Sequence, residues 1–254
     1  MAEHIFTGPA VAAVTFFDDE GRLLAGETAA HCARLVAAGI RAVVVAGSTG
    51  EAAALTTAER VELVAAVKAA CPGVPVLSGS TGEWVGEAVS RTEAVVKAGA
   101  DGVLVAPPRL GGDLADYFRR VAGAAGGAAV VAYHYPGVAG GPVPVDVLAG
   151  LPVQGIKDSS GDAHRLNSEL DLEWAGALYT GSAPLAGYAS WLGAAGAILA
   201  VANVEPELAV AAWAGDAVAQ RALVRAEQAY KALPGGIKAA LATSSGTPTF
   251  RRIG

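Results

Sequence analysis

The sequence predicts a (β/α)8 barrel with a short C-terminal helical extension, and three observations lead there. The length suits one such barrel, a helix-Gly-strand phrase recurs along the chain, and eight β-rich segments alternate with helical patterns. At 254 residues, with 53% hydrophobic and 17% charged residues, the chain has the apolar material for one large core. The recurring phrase is an Ala-rich amphipathic stretch, then Ala-Gly, then a β-branched run. It reads LVAAGIRAVVVAG from Leu35 to Gly47, VVKAGADGVLVAP from Val95 to Pro107 and, more loosely, WLGAAGAILAV from Trp191 to Val201. Gly suits the αL position that closes a helix, and an unbroken apolar run suits a strand covered on both faces, so each copy is half of a βαβ unit.

Strands are expected near Val11 to Phe17, Ala42 to Ala46, Pro75 to Gly79, Gly102 to Ala106, Ala128 to His134, Val153 to Lys157, Ala177 to Gly181 and Gly196 to Val201. Eight strands spaced by about 20 to 30 residues fit a closed barrel better than a doubly wound sheet, which needs fewer strands and a Gly-rich phosphate loop after the first. Residues 1–203 are assigned to the barrel and its active site, and 204–254 to a short helical region and tail. Pro206 to Leu241 shows no further strand pattern and reads as two or three short helices. The tail TSSGTPTFRRIG is polar and held loosely unless it docks on the barrel or on another subunit.

Composition narrows the partners. A net charge of −6 with scattered Lys and Arg offers no basic stripe for nucleic acid. The mean hydropathy is +0.42. Even so, Gly, Pro or a charge interrupts every apolar run before the roughly 18 to 20 residues of a membrane span. The N-terminus MAEHIFTGPA lacks the basic and apolar regions of a signal peptide, so a cytoplasmic setting is expected. Cys32 and Cys71 fall in helical patterns without a CxxC and read as buried thiols, while His4, His31, His134 and His164 do not group with carboxylates as metal ligands. The expected partner is a small molecule.

Chemistry in such barrels gathers at the carboxyl ends of the strands, where three clusters stand out. In VQGIKDSSGD, Lys157 ends an apolar strand, whereas Lys68, Lys97, Lys231 and Lys238 lie on helical segments where a solvated position is natural. Burial disfavours the ammonium, and a neutral amine attacks carbonyls; the competing reading pairs Lys157 with Asp158. In AGSTGEAAAL, Gly47 and Gly50 bracket Ser48 and Thr49, whose N–H groups and hydroxyls can cradle a carboxylate or phosphate, or can simply cap a helix. Glu51 is expected to pack or hydrogen-bond within that loop. In VVAYHYPG, Tyr133 and Tyr135 share one strand face and His134 takes the other; a phenol there can move protons or be a buried aromatic.

Together GSTGE, Tyr-x-x-Pro and GIKDSSGD resemble the family of dihydrodipicolinate synthase and N-acetylneuraminate lyase, the class I pyruvate-dependent aldolases. The likeness runs from GPAVAAVTFFDDEG through GAILAVANV to PGGIKAALA. It implies that Lys157 forms an imine with pyruvate or a related keto acid and that Tyr133 relays protons. It further implies that Ser48 and Thr49, with Gly50 between them and the next helix, hold the carboxylate and the relay, and that the Ile198 carbonyl lines the site. No metal or organic cofactor is implied, and a tetramer or dimer is. The departures are Val138 where lysine-pathway members carry Arg, Pro108 and Arg109 in place of a Tyr pair, His134 for Asn, Phe16 for Pro, and Gly181 to Pro184 where sugar-acid members often have Asp. The C-terminal region is also shorter than usual.

The expected activity is therefore class I cleavage of a 2-keto-3-deoxy or 4-hydroxy-2-keto acid to pyruvate and an aldehyde. Condensation of pyruvate with aspartate semialdehyde is the nearest alternative, with Arg109 supplying the missing guanidinium. A non-catalytic keto-acid-binding protein is the alternative of another class, and a metal-dependent aldolase is weaker still.

Overall fold

The computed structural model describes residues 4–253. Eight parallel strands close in sequence order into a barrel. They are β1 (Gly8–Ala12), β2 (Val43–Val45), β3 (Val76–Gly79), β4 (Gly102–Val105), β5 (Ala129–His134), β6 (Gly155–Asp158), β7 (Ala177–Thr180) and β8 (Gly196–Leu199). Helices α1 (Ala25–Ala37), α2 (Thr57–Ala70), α3 (Val85–Lys97), α4 (Leu114–Ala125), α5 (Val145–Leu148), α6 (Ala163–Leu170) and α7 (Ala186–Trp191) alternate with the strands. After β8 come α8 (Pro206–Trp213), α9 (Ala217–Ala232) and α10 (Gly236–Ser245).

The strand period of two explains why the strands read as continuous apolar runs. Ala10, Val44, Leu77, Leu104, Val131, Tyr133, Tyr179 and Ile198 fill the barrel interior, while Val11, Val43, Val45, Val103, Ile156 and Leu178 pack outward in the larger core beneath the helices. Phe6 and Tyr179, stacked with ring centroids 4.4 Å apart, close the amino-terminal end of the barrel, and the Tyr179 hydroxyl donates to the Phe6 carbonyl at 3.1 Å. A Cβ on Gly155, two residues before Lys157, would come within 3.2 Å of the Tyr179 ring, so the glycine leaves that ring its place.

Three local readings are revised. The first strand lies earlier than Val11 to Phe17, because Gly8 and Pro9 pair with Gly196 and Ala197 of β8. The apolar run that follows leaves the ladder and is fastened by side chains. The Val14 N–H donates to Asn203 Oδ1 at 3.1 Å and the Phe16 N–H to Thr28 Oγ1 at 3.0 Å. Lys238 is not solvated; it is 3% exposed and paired with Glu51. The Glu51 backbone N–H hydrogen-bonds within its loop, to the Ser48 carbonyl, but its carboxylate reaches across the molecule to Lys238. The tail docks on the barrel through Arg252, which donates to the Gly21 and Ala54 carbonyls. No helix among the described residues is long and apolar enough to cross a membrane.

Candidate active site

Lys157 and Tyr133 occupy neighbouring strands at the same level, paired in the β5–β6 register. Each is 5% exposed, and the Lys157 Nζ lies 4.6 Å from the centroid of the Tyr133 ring. Alternation sends Asp158 outward, where its carboxylate accepts from the Ser160 N–H at 3.0 Å and the Ser160 hydroxyl at 2.8 Å, with Arg165 Nε at 3.6 Å. The sequence left open a Lys157–Asp158 pair; the strand geometry rules it out, and no carboxylate among the described residues pairs with Lys157. Gly181, just past β7, donates its N–H to the Asp158 carbonyl at 2.6 Å. A Cβ at 181 would stand 3.0 Å from Lys157 Cε and 1.9 Å from Ser159 Oγ, so glycine there keeps space beside the lysine stem. Ile198 lies fully buried on β8 in the same interior cluster as Tyr133.

A cavity of about 510 Å³ opens at the carboxyl ends of β2 to β5; Ser48, Arg60, Arg91, Arg109, Tyr133 and Val138 are on its wall. Ser48 is exposed into it, Thr49 is half-buried, and Gly50 is buried with its carbonyl accepting from Thr15 Oγ1 at 2.8 Å. The Ser48 and Thr49 N–H groups meet no acceptor among the described residues, which leaves them available to an anion. Ala46 and Glu51, on either side, both adopt left-handed backbone, φ 52° and 57°. Non-glycine residues rarely do so, and the strain is held by the surroundings. Arg60 is one such holder: 1% exposed, it donates to the carbonyls of Gly79 at 2.7 Å, Ala46 at 3.3 Å and Ala52 at 2.5 Å. Burial pulls its pKa down to about 10.

Arg109 lies across the mouth, exposed, with its guanidinium donating to the carbonyls of Gly137 at 3.1 Å and Val138 at 2.6 Å. His134 lies on the face opposite Tyr133, as expected, and that face turns outward; it accepts from the Val143 N–H at 3.0 Å, and the Tyr133 and Tyr135 rings lie 6.1 Å apart. Behind β6, Arg165 bridges Asp158 and Glu169, the latter at 2.7 Å. Burial first, and then the Asp158 charge, push the Glu169 carboxyl up to about 8.

The structure therefore joins Lys157, Tyr133, Gly181 and Ile198 in the barrel interior, and Ser48, Arg109 and Tyr133 around one cavity, with Tyr133 common to both. Sequence reasoning missed Arg60, Arg91 and Arg165. Arg60 carried a signal, since it stands with Leu63, Val64 and Val67 at the spacing of the buried stripe of α2. A larger hollow of about 750 Å³ lies at the opposite end, walled by Thr7, Arg41 and Trp213. Neither Tyr133 nor Ser48 is on its wall, so the carboxyl end is the candidate site.

A closed parallel barrel whose polar groups gather at the carboxyl ends of its strands has the build of a (β/α)8-barrel enzyme. Comparison with known proteins specifies it further. The chain belongs to the dihydrodipicolinate synthetase family, whose model matches residues 5–229, and it is a lyase of that family. A DapA-like lyase of Halobacterium salinarum is 36% identical over 224 residues, covering 85% of this chain and 73% of the relative. A 4-hydroxy-tetrahydrodipicolinate synthase of Natronomonas pharaonis is 33% identical over 221 residues, covering 83% and 75%. Among solved structures, YagE, a prophage protein of the dihydrodipicolinic acid synthase family from E. coli K12 in complex with pyruvate, superposes with a TM-score of 0.88. It is 25% identical, with 97% of this chain and 91% of that one covered.

Proposed function

We propose that this lyase is a class I aldolase that carries a 2-keto acid as an imine on Lys157 and cleaves, or forms, the bond between C3 and C4. The observation that carries the reading is a buried strand-end lysine with no carboxylate partner among the described residues, facing a phenol ring at 4.6 Å. A neutral amine in that position adds to the C2 carbonyl and loses water to give the iminium. Removal of the 4-hydroxyl proton, the task assigned to Tyr133, lets the C3–C4 electron pair move into the iminium as the aldehyde departs. The resulting enamine takes a proton at C3, and hydrolysis returns pyruvate and the free lysine. The Ser48 and Thr49 N–H groups are suited to the keto-acid carboxylate, and the Ile198 carbonyl to the inner wall. A 2-keto-3-deoxy or 4-hydroxy-2-keto acid is the substrate class, and the chemistry needs no cofactor beyond the lysine.

A second reading, condensation of the same enamine with aspartate semialdehyde, is favoured by one observation. Arg109 lies against Val138 in the cavity that Tyr133 also lines. Against it, two guanidinium nitrogens are already engaged by carbonyls, and a substrate carboxylate would have to share or displace them.

Incubation with pyruvate and borohydride is expected to add one reduced pyruvyl group, mapped by peptide mass to Lys157, and Lys157→Ala is expected to lose at least about 10³-fold in turnover. Labelling that survives in Lys157→Ala would overturn the assignment. Parallel assays with an aldehyde panel and with aspartate semialdehyde separate the two readings.

A further inference from the structure

The residue that ends the Ser48–Gly50 loop is fastened to the far end of the chain. Glu51 is buried, in left-handed backbone, and its carboxylate collects three donors from the last seventeen residues. Lys238 Nζ of α10 lies 2.5 Å from Oε1, and the N–H groups of Arg252 and Ile253 donate to Oε2 at 2.8 and 2.9 Å. Lys238 also donates to the Phe250 carbonyl at 2.8 Å, which ties the tail to α10.

Arg252 adds a second set of contacts. Its guanidinium donates to the Gly21 carbonyl at 2.7 Å, to the Ala54 carbonyl at 2.9 Å and to Glu59 Oε1 at 2.6 Å. Glu59 is itself the reciprocal partner of Thr56 in the capping box of α2. Both cations lie over the Phe17 ring, Lys238 at 4.6 Å and Arg252 at 4.3 Å from its centroid. The tail thus grips both ends of the segment between the loop and α2, while Ile253 lies on the wall of the cavity that Ser48 lines.

Charge accounting makes this more than packing. A carboxylate taken out of water is costly unless its oxygens are paired, and removing one partner of a buried pair leaves the other uncompensated. Glu51 cannot stay where it is without these donors. Its backbone N–H donates to the Ser48 carbonyl at 3.2 Å, so a shift at Glu51 is passed directly to Ser48.

We propose that residues 250–253 form a latch that closes on Glu51 and fixes Ser48 and Thr49 in the geometry that receives the substrate carboxylate. Glu51, Lys238 and Arg252 are then positioning residues: they act through the loop and touch no substrate. The inference rests on the reading of that loop as the keto-acid carboxylate cradle.

The test uses Arg252→Ala, Arg252→Lys and a chain ending at Thr249, each read in two ways. Hydrogen exchange of the amides at 47–52 reports the loop without any chemistry, with 155–159 as internal control. Protection is expected to fall at 47–52 alone in Arg252→Ala and in the shortened chain, and to be partly restored in Arg252→Lys, which keeps the charge without the planar fork. The pyruvate concentration giving half-maximal borohydride trapping is expected to rise about tenfold, the size of a lost charge-assisted contact, with the trapping rate at saturation little changed. Unaltered exchange and unaltered half-saturation in Arg252→Ala would overturn the latch even if the shortened chain fails to fold. A uniform loss of protection, 155–159 included, would equally overturn it. Were the unmodified protein not to trap pyruvate at all, the Lys157 reading would fall, while exchange at 47–52 would still decide whether the tail holds the loop.

Discussion

On the β5 to β7 side of the barrel mouth the candidate site residues sit on strands, and on the β2 to β4 side they sit on loops and helices. Lys157 and Tyr133 are side chains of adjacent strands, locked at one level by ladder register and surrounded by apolar residues. Ser48, Arg60, Arg91 and Arg109 reach their cavity from a loop, two helices and a second loop, and the arginines are largely engaged by carbonyls and carboxylates. Strand groups cannot move without moving the barrel, whereas loop groups can be re-aimed by a few substitutions. Under the proposed mechanism the contrast divides the labour: the strand side would make and break bonds to the keto acid, while the loop side would hold its carboxylate at Ser48 and Thr49 and, at Arg109, set which electrophile is admitted.

That division can be broken most sharply at Tyr133, which both sides share. Tyr133→Phe removes only the hydroxyl and is expected to lower turnover by about 10²-fold or more, with the barrel intact. Steady-state assays beside thermal unfolding check this, and unchanged turnover would make Tyr133 a packing residue alone. Next in size is Gly181→Ala. The new methyl would crowd Lys157 Cε and Ser159 Oγ. A stability loss of about 1 to 3 kcal/mol is expected, with slower imine trapping and unchanged aldehyde preference. A change in aldehyde preference there would move electrophile choice onto the strand side.

On the loop side, Arg109→Ala is expected to change stability by no more than about 0.5 kcal/mol, since the side chain is exposed. If the aldehyde partner carries a carboxylate, its KM should rise about tenfold while pyruvate half-saturation holds. A rise in pyruvate half-saturation instead would place Arg109 with the keto-acid carboxylate cradle and remove it from electrophile choice.

The smallest expected effect lies behind β6. Glu169, its side chain fully enclosed, has its carboxyl raised from 4.5 to about 8. Across that window the folded chain keeps a proton that the unfolded chain has released, so stability falls as pH rises. His31, pushed by burial from 6.5 down to about 4, acts in the opposite sense below pH 6.5, as does His134, whose pKa burial also lowers. Between pH 6.5 and 8 the Glu169 contribution stands apart, with a slope of at most about 1.4 kcal/mol per pH unit. Urea unfolding across that range should show the decline, and Glu169→Gln should flatten it; a wild-type profile already flat would refute the assignment.

What the chain alone determined follows from periodicity. Continuous apolar runs at regular intervals, several of them closed by Gly or Pro, specify parallel strands covered on both faces, and eight of them specify a closed barrel. Strand alternation likewise fixed that Tyr133 and His134 turn to opposite sides, because the period of two is a local property of extended backbone, while the closed barrel decided that Tyr133 is the inward one. Whatever depends on which distant segments meet was decided only by tertiary structure. The start of β1 was set by its pairing with β8, although Gly8-Pro9 reads as a break. Lys238, unremarkable on its helix, became a buried cation because Glu51, 187 positions earlier, needed one. Arg60 and Arg252 were assigned their roles by carbonyls that the fold left pointing at them, and hydrogen bonds between remote segments leave no period in the sequence.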